Sequence, residues 1–276
     1  MGVTAVIAAQ ALGFTYPDGT RALQGIDLRI LAGARLAIVG QNGSGKSTLV
    51  RHFNGLLRPT EGRLLINGQE VGRRHVAELA KQVATAFQIP DRQIFAGSVR
   101  SEVAFGPRNL GLRGVELQTA VAAALESVGL ANETEVNPYD LGYSRRKLLT
   151  IASVLAMRTP IVVLDEPTTG QDARGVRTIE GIVAALAAEG RTVIAVSHDL
   201  RFVAETFERV VVMREGRVVL DGTLVEVFAE EAWPTLRSTN LEPPYAARIG
   251  ARLGLGSTPS EADVVKALGG GGSTVS

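Results

Sequence analysis

The sequence has no cysteine among its 276 residues, which excludes a disulfide framework and a thiolate metal site and suits a reducing compartment. Nor does it carry an excess of either charge. Lys and Arg number 29 and Asp and Glu 28, a formal net charge of +1, so nothing electrostatic points to nucleic acid or an acidic partner. No apolar run approaches the ~18–20 residues that span a bilayer. The opening stretch MGVTAVIAAQALGFTYPDG lacks the basic start of a secretory signal. Any membrane role is therefore expected through a partner, without a direct span of the chain's own. What is present is ordinary for a soluble globular protein. With 45% hydrophobic and 21% charged residues, a sizeable core is expected, in one large α/β domain or in a domain with an appendage.

Val- and Ile-rich runs recur between helix-like stretches. ARLAIVG (34–40), IVVLDEP (161–167) and TVIAVSH (192–198) read as buried parallel strands. Each ends in polar residues, where an open α/β sheet places its functional groups. Helices are expected over STLVRHFNGLL and over VRTIEGIVAALAAEG, the second closing at Gly190. Short alternating strands before Gly33 and around GRLLINGQEV, with Asp-Gly and Asn-Gly turns, predict an antiparallel β layer. VVVMREGRVVLDG reads as a third such hairpin, turning at Glu215-Gly216. Residues from about 90 to 157 read as a helical insertion, in which Phe95, Val99 and Phe105 are candidate core positions.

After Gly222 the texture changes. Pro243-Pro244 precede a helix with Tyr245, Ile249 and Leu253 on one face. TPSEADVVKAL opens as a capping box, with Thr258 at N-cap, Pro259 at N1 and Glu261 at N3. These two helices either pad the domain or form a self-association surface. The expected division is thus a main domain over 1–228, a helical extension over 229–268, and a glycine-rich tail over 269–276 that is expected to be disordered.

GQNGSGKST, Gly40 to Thr48, fits G-x-x-x-x-G-K-[ST] between a buried strand and a helix. Gly43 and Gly45 allow the bend that turns the N–H groups of Gln41, Asn42, Ser44 and their neighbours toward phosphate oxygens. Lys46 supplies a cation to the β- and γ-phosphates, Ser47 a hydroxyl for Mg²⁺, and the helix beginning near Lys46 the positive end of its dipole. IVVLDEP adds Asp165 at a strand end, able to hold Mg²⁺ through water, and Glu166, placed to polarise the attacking water. His198 ends the strand expected beside that of Asp165. Gln88 ends another strand-like run, within reach of metal or water. His52 and His75 read as structural histidines.

With these residues in hand, the sequence resembles an ATP-binding cassette ATPase over roughly residues 3–228. The resemblance identifies Gly40–Thr48 as the Walker A loop, Ile161–Glu166 as Walker B, Gln88 as the Q-loop and His198 as the switch histidine. TTGQD, Thr168 to Asp172, is similar to the D-loop, where Asp172 is expected to support a dimer interface. Tyr16 stands where the family stacks an aromatic ring on adenine; the alternative is a tyrosine at a strand end on the surface. The implied fold is a P-loop NTPase cassette: a parallel core sheet, an antiparallel β subdomain, a helical insertion and a short helical C-terminal extension.

A narrower resemblance rests on FQIPDRQIFAGSVRSEVAFGPRNLGL, Phe87 to Leu112, which is similar to the energy-coupling factor ATPases of vitamin and transition-metal uptake. It implies ATP and Mg²⁺ as ligands and a pair of ATPases, identical or not, joined in part by the C-terminal extension. It also implies a transmembrane coupling protein, a substrate-binding membrane protein, and a peripheral position on the cytoplasmic face of the membrane. One or two of the insertion's apolar residues would face the membrane partner. The alternatives are the ATPase of another importer of the same superfamily and a soluble ATPase outside transport.

One stretch departs from the family. Where Leu-Ser-Gly-Gly-Gln is expected to cap the γ-phosphate held by the opposite subunit, this chain has Leu141, Gly142, Tyr143, Ser144 and Arg145. Two readings stand. In the first, Ser144 and Arg145, or Arg146, supply substitute contacts. In the second, Tyr143 fills space that glycine leaves open and spoils the partner's site, which makes the two sites of a heterodimer unequal.

Overall fold

The computed structural model describes residues 5–270. Its strands are β1 (Ala5–Thr15), β2 (Arg21–Leu31), β3 (Arg35–Val39), β4 (Glu61–Ile66), β5 (Gln69–Glu70), β6 (Val83–Ala86), β7 (Ile161–Asp165), β8 (Thr192–Val196), β9 (Arg209–Arg214) and β10 (Arg217–Thr223). Its helices are α1 (Lys46–Phe53), α2 (Val76–Leu79), α3 (Val99–Asn109), α4 (Gly114–Ser127), α5 (Tyr143–Ala156), α6 (Ala173–Ala188), α7 (Leu200–Thr206), α8 (Leu224–Val227), α9 (Trp233–Arg237), α10 (Tyr245–Leu253) and α11 (Glu261–Gly270).

Two sheets organise the chain: an antiparallel one in the order β2-β1-β4-β5 and a six-stranded one in the order β10-β9-β3-β8-β7-β6. The strands β7 and β8 are buried along their whole length, and β3 is buried from Leu36 on. Their uninterrupted apolar runs follow from this, because each face meets a different core. Leu36, Ile38, Ile161, Val163, Ile194 and Val196 pack with the antiparallel sheet and α1. The intervening Ala37, Val39, Val162, Leu164, Val193 and Ala195 pack with the helical layer. The two-residue period of a strand thus divides every buried strand between two cores.

The Asn67-Gly68 and Glu215-Gly216 turns both have positive φ at both positions, 49° and 74° in the first and 49° and 75° in the second. That is the geometry of two-residue hairpin turns. The second hairpin, grouped in the sequence with those of the antiparallel layer, does not join that layer. β9 pairs in parallel with β3, so β9 and β10 form the edge of the six-stranded sheet. Helices α3, α4 and α5 make up the insertion; α3 starts at a capping box in which Ser98 and Ser101 exchange hydrogen bonds.

Val99 is fully buried, whereas Phe95 and Phe105 are 60% and 48% exposed and pack edge to face with centroids 4.6 Å apart. They are not core residues. The capping register of α11 also differs from expectation. Ser260 is the cap, its hydroxyl bonding Asp263, while the Thr258 hydroxyl is buried and donates to the Ala246 carbonyl at 3.0 Å. Gly269 and Gly270 complete α11, and the remainder of the expected tail, 271–276, lies outside the described residues.

Candidate functional site

Strand order alone brings most of the candidate residues together. β3 lies beside β8, β8 beside β7 and β7 beside β6, all parallel. Their C-terminal ends therefore present Gly40, His198, Asp165 with Glu166, and Gln88 along one rim.

The phosphate loop leaves β3 and enters α1 at Gly45, whose φ of +100° favours glycine; a Cβ there would also lie 2.6 Å from the Ala22 carbonyl. Lys46 is buried, and its Nζ donates to the carbonyls of Gly40 (2.7 Å) and Gln41 (2.8 Å). Burial lowers its pKa, against which the charges of Glu166 and Asp165 act. The loop and Tyr16 line a cleft of ≈ 570 Å³ with Ser47, Thr48, Gln88 and Glu166. Tyr16 stands at its wall, its hydroxyl 3.1 Å from that of Thr48 and its ring edge-on to Phe14. Larger hollows exist elsewhere, such as one of ≈ 750 Å³ between α4 and α6, but it contains no residue of the phosphate loop.

Ser47 Oγ lies 3.5 Å from Asp165 Oδ1 across the cleft. Burial raises the Asp165 pKa, the neighbouring Glu166 charge adds to the rise, and Lys147 and the Ser47 hydroxyl oppose it. Among the described residues no group of three His, Cys, Asp or Glu side chains forms a metal cage. One hydroxyl, one carboxylate and one amide suit instead a hard cation that keeps its waters and takes most ligands from phosphate, which is the behaviour of Mg²⁺.

Glu166 is almost fully buried and has φ +50°, a left-handed conformation unusual for a residue with a side chain. Its Oε2 lies 2.7 Å from Nδ1 of His198, whose side chain is mostly exposed. A carboxylate held by an imidazole at the end of one strand, beside a phosphate loop at the end of another, can orient water toward a bound phosphate.

Gly142, Tyr143, Ser144 and Arg145 do not line this cleft. Gly142 caps α5 and Tyr143 begins it. The Tyr143 ring lies against Gly170, so closely that a Cβ on that glycine would come within 2.5 Å of it. Ser144 Oγ donates to Gln171 Oε1 at 2.8 Å, and Gln171 Nε2 donates to the Ser144 carbonyl at 3.0 Å. Arg145 pairs with Glu133, and Arg146 with Asp91 and the Leu141 carbonyl. Asp172 caps α6 by accepting from the Gly175 N–H at 2.7 Å. His52 is fully buried in α1.

Three further residues went unremarked in the sequence. Arg21 lines the cleft and pairs with Glu61. Asn240 donates to the Gln41 side chain at 2.7 Å from far along the chain, a contact with no sequence signal. Lys147 is 1% exposed and donates to the carbonyls of Phe87, Gln88 and Asp165. Desolvation brings its pKa down to about 8, against the pull of the Asp165 and Glu166 carboxylates. Its one signal was a lysine at the head of an otherwise apolar helical run.

Comparison with known proteins follows the same lines. A protein-family model described as ABC transporter matches residues 23–169. The energy-coupling factor transporter ATP-binding protein EcfA of Methanothermobacter thermautotrophicus is 40% identical over 250 residues, covering 90% of this chain and 80% of that protein. A protein of Caldanaerobacter subterraneus is 39% identical over 249 residues, 90% of this chain, and the chain spans 43% of that relative's length. A solved structure described as cbiO1 from Clostridium perfringens, part of the ABC transporter complex cbiONQ, matches with a TM-score of 0.74 at 37% identity. It covers 90% of this chain and 98% of that one.

Proposed function

From the premise that this chain belongs to the ABC transporter ATPase family, we propose that it powers an energy-coupling factor importer of a vitamin or a transition-metal ion. In this reading it sits on the cytoplasmic face of the membrane, paired with a second ATPase on a transmembrane coupling protein that also holds a substrate-binding membrane protein. The observation that carries the reading is the 2.7 Å contact between Glu166 and His198 at the rim that also bears the phosphate loop. The EcfA and cbiO1 likenesses, which extend over nearly the whole chain, favour the energy-coupling type.

The mechanism follows from charge and position. ATP hydrolysis needs a water in line with the γ-phosphate and neutralisation of the negative charge that spreads in the transition state. Lys46 leaves the carbonyls of Gly40 and Gln41 for the β- and γ-phosphates, which offer its ammonium full charges in place of dipoles. The N–H groups from Gln41 to Thr48 cradle the phosphates at the start of α1. Magnesium, held by Ser47, Asp165 and Gln88, would add charge neutralisation at the same oxygens. Glu166 orients the water, and His198 holds Glu166 and approaches the γ-phosphate. Tyr16 offers its ring to adenine, a contact on the order of 1–3 kcal/mol with little base selectivity.

Among the described residues no helix is long and apolar enough to cross a membrane. Attachment then falls to exposed apolar surface. Phe95 and Phe105, on the insertion, are assigned to the transmembrane partner. Tyr245, Ile249 and Leu253, on α10, are assigned to the second ATPase. The deviant 141–145 stretch engages the chain's own D-loop through Tyr143 and Ser144, which favours a pair with unequal sites. The test is purification of the tagged chain from detergent-solubilised membranes of its host. The proposal expects a second ATPase and integral membrane subunits in stoichiometric amount. Recovery only in water-soluble complexes overturns it.

A further inference from the structure

Lys147 lies in α5 one turn beyond the loop at the start of that helix, and no part of the mechanism above uses it. An ammonium has three N–H bonds to give. Here they go to three backbone carbonyls, two just past β6 and one at the end of β7: Phe87 at 2.9 Å, Gln88 at 2.7 Å and Asp165 at 2.9 Å. The β6–β7 ladder ends at the pair Ala86 and Leu164, so Phe87 and Gln88 lie past it, and Asp165, still paired with Val196 of β8, has no partner on the β6 side. What ties them together there is a side chain from a third element.

We propose that Lys147 is a positioning residue for ATP hydrolysis: by holding these three carbonyls it sets the directions of the Gln88 and Asp165 side chains. Two consecutive carbonyls turned toward one cation leave the peptide planes around Gln88 little freedom, so its side chain departs from a fixed base. The Asp165 carbonyl faces Lys147 while its carboxylate faces Ser47, so the same contact anchors the opposite end of that residue. The anchor is itself part of α5, whose first turn is joined to the 168–172 loop through Ser144 and Gln171. A shift of α5 along its axis thus moves Gln88 and Asp165 together.

The inference rests on the assignment of Gln88 and Asp165 to metal and water, and the experiment separates the two. Lys147→Met keeps the length of the side chain and removes its donors; Lys147→Arg keeps charge and donors. Both are assayed in the full chain with its natural partners, together with Gln88→Ala and Asp165→Asn, for kcat, KM for ATP, the Mg²⁺ concentration giving half the maximal rate, and thermal midpoint. For Lys147→Met we expect kcat to fall by about tenfold or more and the Mg²⁺ requirement to rise, with KM for ATP changed by less than about threefold. Lys147→Arg should recover most of both losses.

Wild-type kcat and Mg²⁺ requirement in Lys147→Met overturn the inference. So do equal losses in the Met and Arg variants that track a lowered thermal midpoint, since that pattern marks a packing role. If Lys147→Met does not fold, Lys147→Gln, with one amide to donate, is read by the same criteria. An unchanged Mg²⁺ requirement in both Gln88→Ala and Asp165→Asn overturns the assignment of those two side chains instead.

Discussion

Glu166 illustrates how much of this site is set one residue at a time. Its left-handed backbone costs on the order of 1–3 kcal/mol, and the fold sustains it through a β8 contact, the Glu166 N–H on the Val196 carbonyl at 2.9 Å. The carboxylate is thereby turned to His198 while Asp165, just before it in the chain, faces Ser47. Adjacent residues on a regular strand point to opposite faces, and the kink is what lets both serve one cleft. Identity at such positions was legible, because phosphate loops and strand-end acids carry fixed chemical demands. The role of Lys147 was not, since a lysine in a helix ordinarily reads as a solvated face.

A second buried cation-former gives a pH prediction. His52 has Nδ1 2.7 Å from the Thr48 carbonyl, its Nε2 is buried without a partner, and Phe14 packs edge-on to its ring. Desolvation lowers its pKa in the folded state, against the pull of the Thr48 carbonyl. Below the ordinary histidine value of about 6.5 the unfolded chain then binds more protons than the folded one, so stability falls as the pH drops through that value. We predict a urea midpoint that falls between pH 7 and pH 5, and falls less steeply in His52→Gln. Equal slopes in the two proteins would remove His52 from the account.

At the scale of elements, helix starts show what pattern reading resolves and where it slips. Thr258-Pro259 with Glu261 has every mark of a helix entrance, yet the helix begins two residues later. The reason is tertiary: the Thr258 hydroxyl is spent on the Ala246 carbonyl of α10, leaving Ser260 and Asp263 to cap α11. The hairpin at Glu215-Gly216 was legible as a hairpin, but alternation says nothing about which sheet it joins; the parallel pairing of β9 with β3 decides that. The periodicity of α10 was legible, and its apolar face is exposed as a unit, with Tyr245, Ile249 and Leu253 at 78%, 43% and 57%. We predict that Ile249→Asp weakens pairing with the second ATPase by at least about tenfold, roughly 1.4 kcal/mol. Because the site is exposed in the free chain, its thermal midpoint should move by less than about 2 °C. Light scattering with a thermal melt checks both; undiminished pairing would take α10 out of the interface.

For the whole molecule, the pairing of β7 with β8 was legible from the chemistry at their ends, but the rest of the crossing order of the six-stranded sheet was not. β3 beside β8 and β6 beside β7 set strands far apart in sequence side by side, and no local pattern encodes those neighbours. The buried runs did announce that such a sheet exists. Their alternate residues feed two cores, which makes the sheet a rigid partition with its functional rim at one end. That rim joins a phosphate loop, a Ser47–Asp165 pair and a Glu166–His198 dyad, and on the function proposed above this set hydrolyses ATP with Glu166 orienting the water.

The most direct test is the rate of ATP hydrolysis by the assembled wild type and by Glu166→Gln, each with its nucleotide affinity measured alongside. ATP binding within about threefold of wild type is expected, with hydrolysis reduced by at least ~100-fold. Near-normal turnover in Glu166→Gln would contradict it.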